Sequence, residues 1–282
     1  MFVYQQAIAG LSVILIIMKS TPKIILILFS LLLLGAACQK PPATTVQQGT
    51  DKTSTDASAN TSPATSSDLS QPPLLIKHLG VELGDFDPAT GMAGDFKFTR
   101  NKLDQKRLWM DYGYVIPAGD SATGQDKPNP QPTFVLPLGT KVHSLVDGVV
   151  VAIPELYSHD FSIQVGVADK DSVWRYETEH VINPTVKVGD RVTAGQVIAE
   201  VSTWSFQGND GLGMVEIGIL RGGNPPEHIC PFAYLDPSVK DQLQSSITKM
   251  YASWESYRGD TALYDEAAMP VIGCQTLDPI AG

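Results

Sequence analysis

The segment VKVGDRVTAGQVIAEV, residues 186–201, constrains the fold of this chain more than any other stretch. Gly189-Asp190 marks one tight turn and Ala194-Gly195 a second, because glycine reaches the left-handed backbone region such turns need without steric cost. Val186, Val188, Val192, Val197, Ile198 and Val201 supply apolar contacts around the turns, so the segment is expected to fold back on itself as compact hairpins.

Its surroundings point the same way. TFVLPLGTKVHSLVDGVVVAIPEL, FSIQVGVA, SVWRYETEHV and GMVEIGIL are short apolar runs separated by turn signals. That spacing predicts a mainly β fold, an antiparallel sheet or sandwich, and not βαβ units. Upstream, LGDFDPATGMAGDFKF reads as strand, Asp-Pro/Thr-Gly turn and strand, and RLWMDYGYVIP as a further strand. Residues 115–132, VIPAGDSATGQDKPNPQP, form a polar, proline-rich insertion expected on the surface. One helix is predicted from 237 to about 258. Asp236 stands as its N-cap, Pro237 at its first position, and Val239, Leu243, Ile247, Met250, Trp254 and Tyr257 fall at three- and four-residue intervals before Gly259. The β-rich domain is thus placed at 74–235, and the helix with an irregular tail at 236–282.

The first 73 residues have a different character. Lys19 and Lys23 precede the run IILILFSLLLLGAAC, which ends at Cys38. A basic start, an apolar stretch of about a dozen residues and small residues before a cleavage point make a secretory signal. LLLLGAAC resembles the lipobox of bacterial lipoproteins, which implies that the Cys38 sulfur takes a diacylglycerol and becomes the mature N-terminus. On that reading residues 1–37 are the signal peptide, with Met18 as the expected true start. Gln39 after the cysteine implies the outer membrane, facing the periplasm, in a cell with two membranes. From Cys38 to Pro73 the sequence is almost all Thr, Ser, Ala, Gln, Pro and Asp. Such a segment buries too little to offset its ordering entropy, so a flexible tether is expected, with an r.m.s. reach of roughly 30 Å.

The formal charge is −10, and losing Lys19 and Lys23 with the signal leaves the chain more negative still. Nucleic acid is excluded as a main partner, because the phosphate backbone would repel such a chain at long range. With Cys38 lipidated, Cys230 and Cys274 remain as an even pair in an exported chain and read as one disulfide, the alternatives being two free thiols or metal ligands without a supporting spacing.

The 186–201 hairpin arrangement is shared by biotinyl and lipoyl carriers and by lysostaphin-type zinc peptidases. Carriers need a lysine at the exposed turn beyond it, and STWSFQGNDG has none. The chain resembles the peptidases over about residues 105–236. PLGTKVHSLVDGVVV is similar to their strand pair before the site, ETEHVINPTVKVGDRV to their histidine-bearing segment, and CPFAYLDP to their closing strand. The resemblance implies their duplicated-hybrid-motif β core and a groove that handles peptidoglycan.

Activity in that family implies a zinc held by His and Asp four residues apart and by the second His of a His-x-His strand. Three ligands leave a coordination position where zinc acidifies a water. Here GMVEIGIL, aligned through Glu216, puts Leu212 and Met214 at the histidine positions, and a shift of two residues puts Asp210 there instead. For the His-x-x-x-Asp pair one alignment gives Arg107 and Asp111, and an ungapped match from PLGT gives Asn129 and Thr133. His180, in ETEH, falls where an assisting histidine belongs, on the face expected to carry Trp174, Tyr176 and Thr178. His143 and His159 read as structural, while Trp204, Phe206, Met214 and Glu216 are the expected groove residues.

The leading expectation is a non-catalytic envelope lipoprotein without a cofactor, binding peptidoglycan or a periplasmic protein, anchored to the bilayer by its acyl chains. A second is a zinc hydrolase with the unusual ligands Asp111, Asp210 and His180. A third is an architectural lipoprotein whose groove is filled by the 115–132 insertion.

Overall fold

The computed structural model describes residues 70–121, 123–167, 173–204 and 211–282. Cys38, the tether up to residue 69, Phe206 and Asp210 lie outside the described residues.

A small antiparallel meander opens the domain: β1 (Phe86–Asp87), β2 (Met92–Ala93) and β3 (Phe96–Lys97). Its turn is made by Asp87, whose carboxylate accepts from Ala89 N at 2.9 Å and from Thr90 Oγ1 at 2.9 Å. β4 (Trp109–Met110) then enters the main sheet. Within the insertion, β5 (Val115–Ile116) pairs with β6 (Lys127–Pro128) as a short two-stranded ribbon.

The remaining strands are β7 (Thr133–Pro137), β8 (Lys141–His143), β9 (Gly148–Ala152), β10 (Phe161–Gly166), β11 (Trp174–Ile182), β12 (Arg191–Val192), β13 (Val197–Val201), β14 (Leu212–Arg221), β15 (Glu227–Ile229) and β16 (Ile280–Ala281). With β4 they make an antiparallel sheet of eleven strands among the described residues. Among the described residues the fold is therefore mainly antiparallel β with one α-helix. Its centre is β11, flanked by β10 and β14, and β14 also pairs with β7.

The 186–201 segment turns where expected, with Gly189 and Gly195 at φ 94° and 80°. Its strands do not pair with each other, however. β12 pairs with β9, and β13 with β8 and β11, so each turn delivers a strand to a different neighbour.

α1 (Lys240–Arg258) begins three residues later than the spacing predicts. Asp236 is committed to a turn of its own: its Oδ1 accepts from Ser238 N at 2.8 Å and Ser238 Oγ at 2.6 Å. Val239 therefore stands at the N-cap without a side-chain bond. At the other end Gly259, at φ 70°, returns its N–H to Glu255 O as a left-handed cap. The helix buries Ile247, Met250, Tyr251 and Trp254 against the sheet. Trp109 sits at the junction, with ring centroids of Phe134 at 4.3 Å, Phe232 at 5.5 Å and Tyr251 at 5.8 Å.

Cys230 and Cys274 form a disulfide, Cα atoms 5.9 Å apart, which holds the tail against the end of β15. The tail also contributes what periodicity did not foretell, the edge strand β16 beside β15.

Candidate functional site

β11, β14 and the start of β7 share one face that forms the floor of a groove of about 650 Å³. Lys127 and Ile116 of the ribbon line one side, and Pro154, Tyr157 and Trp204 line another. The insertion therefore borders the groove and leaves it open.

Along β11 the alternation sends Trp174, Tyr176 and Thr178 away from the groove; the first two pack in the core. Arg175, Glu177 and Glu179 face the groove. His180 was expected with the first set, and the structure corrects this. At His180 the strand changes partner, from Glu179↔Glu216 on β14 to Val181↔Val201 on β13, and the residue adopts φ 59°. This kink turns the imidazole onto the groove side beside Glu179.

Such a conformation costs a non-glycine residue about 1–2 kcal/mol, so the surroundings must hold it. They do so through Asp160. His180 Nδ1 donates to Asp160 Oδ2 at 3.0 Å, and Ser158 Oγ and Ser202 Oγ also donate to the same carboxylate. The His180 ring lies flat on Trp204, centroids 3.4 Å apart and planes within 1°. Trp204 Nε1 donates to Tyr157 OH at 3.2 Å, and Tyr157 is 82% exposed at the mouth. Burial lowers the His180 pKa, opposed by the Asp160 charge. The neutral ring thus keeps its proton on Nδ1 and carries a lone pair on Nε2.

The floor is acidic. Glu177 is buried, with Gln131 Nε2 at 3.0 Å on one oxygen and Gln164 Nε2 at 3.0 Å and Ser162 Oγ on the other. Three donors favour the carboxylate, yet desolvation prevails, helped by the Glu179 charge, and raises its pKa to about 8. Glu216 accepts from Thr133 Oγ1 at 2.9 Å and is likewise raised to about 8, first by burial and then by Glu179. Glu179 is raised for the same leading reason. Lys127 and Arg175 share the groove with them.

Asn129, Thr133, Met214 and Glu216 line the groove together, and Asn129 Nδ2 donates to Thr133 Oγ1 at 3.2 Å. Asp111, the other candidate, is fully buried elsewhere, bonded by Tyr251 OH and by Gln275 Nε2 at 3.3 Å, with its pKa raised to about 6 by burial. Arg107 stacks on Tyr114, 4.3 Å from the ring centroid.

A zinc ion of the kind the resemblance implies does not fit these donors. At the positions the resemblance implies for its ligands, Asn129, Thr133 and Met214 offer an amide, a hydroxyl and a thioether, and none supplies the imidazole or carboxylate that zinc takes. Among the described residues, the one group of three His, Cys, Asp or Glu ligand atoms close enough for an ion lies elsewhere.

Glu177, Glu179, Gln131 and Tyr157 line the groove, and Asp160 stands behind His180; the sequence singled out none of them. The signal was present in RYETEH, where two glutamates at period two put both carboxylates on one face of the strand.

No protein-family model matches the chain, and no curated protein matches it. Among solved structures, it is similar to lysostaphin of Staphylococcus simulans, in its solution structure, at 20% identity, over 46% of this chain and 49% of that one, with a TM-score of 0.32. A second is the catalytic domain of the prophage-encoded M23 protein EnpA from Enterococcus faecalis, at 24% identity over 37% and 77%, TM-score 0.30. A third is Helicobacter pylori Csd3, at 16% identity over 53% and 41%, TM-score 0.34. The chain spans about half the length of lysostaphin and less of Csd3.

Proposed function

We propose that this chain is a cell-envelope lipoprotein that binds a peptide of the cell wall in its groove without hydrolysing it. One observation carries the reading. The groove holds an oriented histidine, an aromatic shelf and an acidic floor, while Asn129, Thr133 and Met214 stand where a catalytic zinc would need its ligands. An exposed aromatic beside polar groups at the mouth of a concave site is the arrangement by which proteins seat extended ligands. The motif resemblance of residues 105–236 supports peptidoglycan as the ligand over a periplasmic protein.

The test is titration of the full chain with soluble peptidoglycan fragments, followed by heteronuclear NMR. Saturable shifts at His180 and Trp204 with intact ligand are expected; neither shifts nor affinity for cell-wall fragments would sink the reading.

A second reading, a hydrolase, is favoured by the Asp160–His180 pair, since a carboxylate on Nδ1 leaves Nε2 placed to act as a base. Product analysis of the same samples separates the two. Membrane anchoring through Cys38 and an outer-membrane location facing the periplasm complete the proposal. Cys38→Ser is expected to move the chain from the membrane to the soluble fraction.

A further inference from the structure

His143 was expected to be a structural residue without a partner at ligand spacing; in the fold it has two. The loop that leads into β1 carries His78 and Glu82, and between them Gly80 sits at φ 80°. This turn brings both side chains toward His143 on β8, so that one ligand atom from each of the three lies within 4.8 Å of the others. His78 Nε2 and Glu82 Oε1 are 3.3 Å apart, and the two imidazole centroids are separated by 4.8 Å. Ligands at about 2.0–2.1 Å around a tetrahedral ion stand roughly 3.3 Å from each other, so one edge of such a site is already set.

Backbone bonds hold both halves of the cluster. Lys77 N and His78 N donate to Leu145 O at 3.0 and 3.3 Å, His143 N donates to Gly80 O at 2.9 Å, and Glu82 N donates to Asp95 Oδ2 at 2.8 Å. A side chain at Gly80 would press on Ile217 and Leu145, at 3.1 and 3.2 Å, as well as straining the turn. His143 Nδ1 donates to Gly195 O at 2.8 Å, which leaves the Nε2 lone pair for a ligand. Metal-binding histidines are oriented by this kind of outer hydrogen bond. The two histidines are half-buried and Glu82 is exposed, so a fourth position opens to water. None of the three lines the groove.

We propose that His78, Glu82 and His143 bind one divalent first-row transition metal ion, of which zinc is the type. Two imidazoles and one carboxylate are a donor set suited to zinc and its neighbours and poor for calcium or magnesium. His78 Nδ1 accepts from Gly80 N at 3.1 Å, so the neutral His78 ring carries its proton on Nε2, directed at Glu82. The ion takes the place of that proton: Nε2 bonds the metal, the proton moves to Nδ1, and the ring turns off the Gly80 N–H. His143 needs no such change. The bound ion would tie the loop that leads into β1 to the sheet.

Cobalt(II) titration of the full chain in detergent, read by its visible ligand-field absorption, with zinc in competition against a chromophoric chelator, tests this. One equivalent is expected to bind, and Glu82→Gln and His143→Ala are each expected to weaken zinc at least about tenfold. His159→Ala, at an exposed histidine elsewhere, is expected to bind as the parent does. In ¹⁵N spectra, zinc is expected to move the His78 tautomer and leave that of His143. Glu82→Gln alters an exposed residue, so the readout does not depend on a variant with a disturbed core. Absence of saturable binding up to about 100 μM zinc, or parental affinity in a natively folded Glu82→Gln or His78→Ala/His143→Ala chain, overturns the proposal.

Discussion

His180 is held in an unfavourable backbone conformation by a charge, a stack and two serine hydroxyls gathered on Asp160. Removing the charge while keeping the shape isolates its contribution. Because Asp160 raises the His180 pKa against the lowering by burial, Asp160→Asn is expected to lower it further, which an NMR titration reads directly. Peptide affinity is expected to fall about tenfold as Trp204 loses its ordered partner. An unchanged titration would mean the Asp160 bond does not govern the ring.

Glu216 yields a prediction with the opposite pH sense from an ordinary ion-paired acid. Its pKa rises from 4.5 to about 8 in the fold, so its protonated form belongs to the native state. The associated stability is complete below about pH 4.5 and is lost as pH climbs through about 8. Thermal melts are expected to show a less stable chain at pH 9 than at pH 5. Glu216→Gln, which mimics the protonated acid, is expected to flatten that slope by on the order of 1–2 kcal/mol. Parallel slopes for the two proteins would assign the effect to another group.

At the scale of elements, the residue that follows β13 packs directly against β14. Ser202 bridges Met214 there, and a Cβ on Gly213 would lie 1.9 Å from Ser202 O. Backbone atoms cannot step aside as a flexible side chain does, so Gly213→Ala is expected to part the strands and cost about 2 kcal/mol or more. Hydrogen exchange at Ser202 N, which donates to His180 O at 3.2 Å, is the check; continued protection there would refute it. The disulfide belongs to the same scale. Closing a loop with a sequence separation of 44, it is worth roughly 4 kcal/mol in the chain-entropy model, and Cys230→Ser/Cys274→Ser is expected to melt lower by that measure.

These elements also mark what was legible in the sequence. Turns at Gly189 and Gly195 and the helix end at Gly259 were readable because each depends on local chemistry, and the Cys230–Cys274 bridge because two cysteines leave one pairing. The pairing of β12 and β13 with distant strands was not, because alternation reports a face and not a neighbour. His180 defeated the alternation outright: a one-residue kink reverses which face a side chain takes, and no pattern announces it. The partnership of His143 with His78, 65 positions earlier, was beyond any reading by spacing, because it is made by the Gly80 turn and the bonds to Leu145.

At the scale of the whole molecule, the β core positions a groove lined by Asn129, Thr133, Met214, Glu216 and His180, whose polar groups can orient a peptide. On the proposed function such a site recognises its ligand without activating a water on a metal, because recognition needs shape and hydrogen bonds and activation needs a seated cation. The measurement that bears most directly on this is incubation of the full chain with cross-linked peptidoglycan fragments in excess zinc, with bound ligand and products quantified together. Saturable binding and intact fragments are expected, with no change in products on adding a chelator. Chelator-sensitive release of cleaved peptides, lost on substitution of His180, would contradict it.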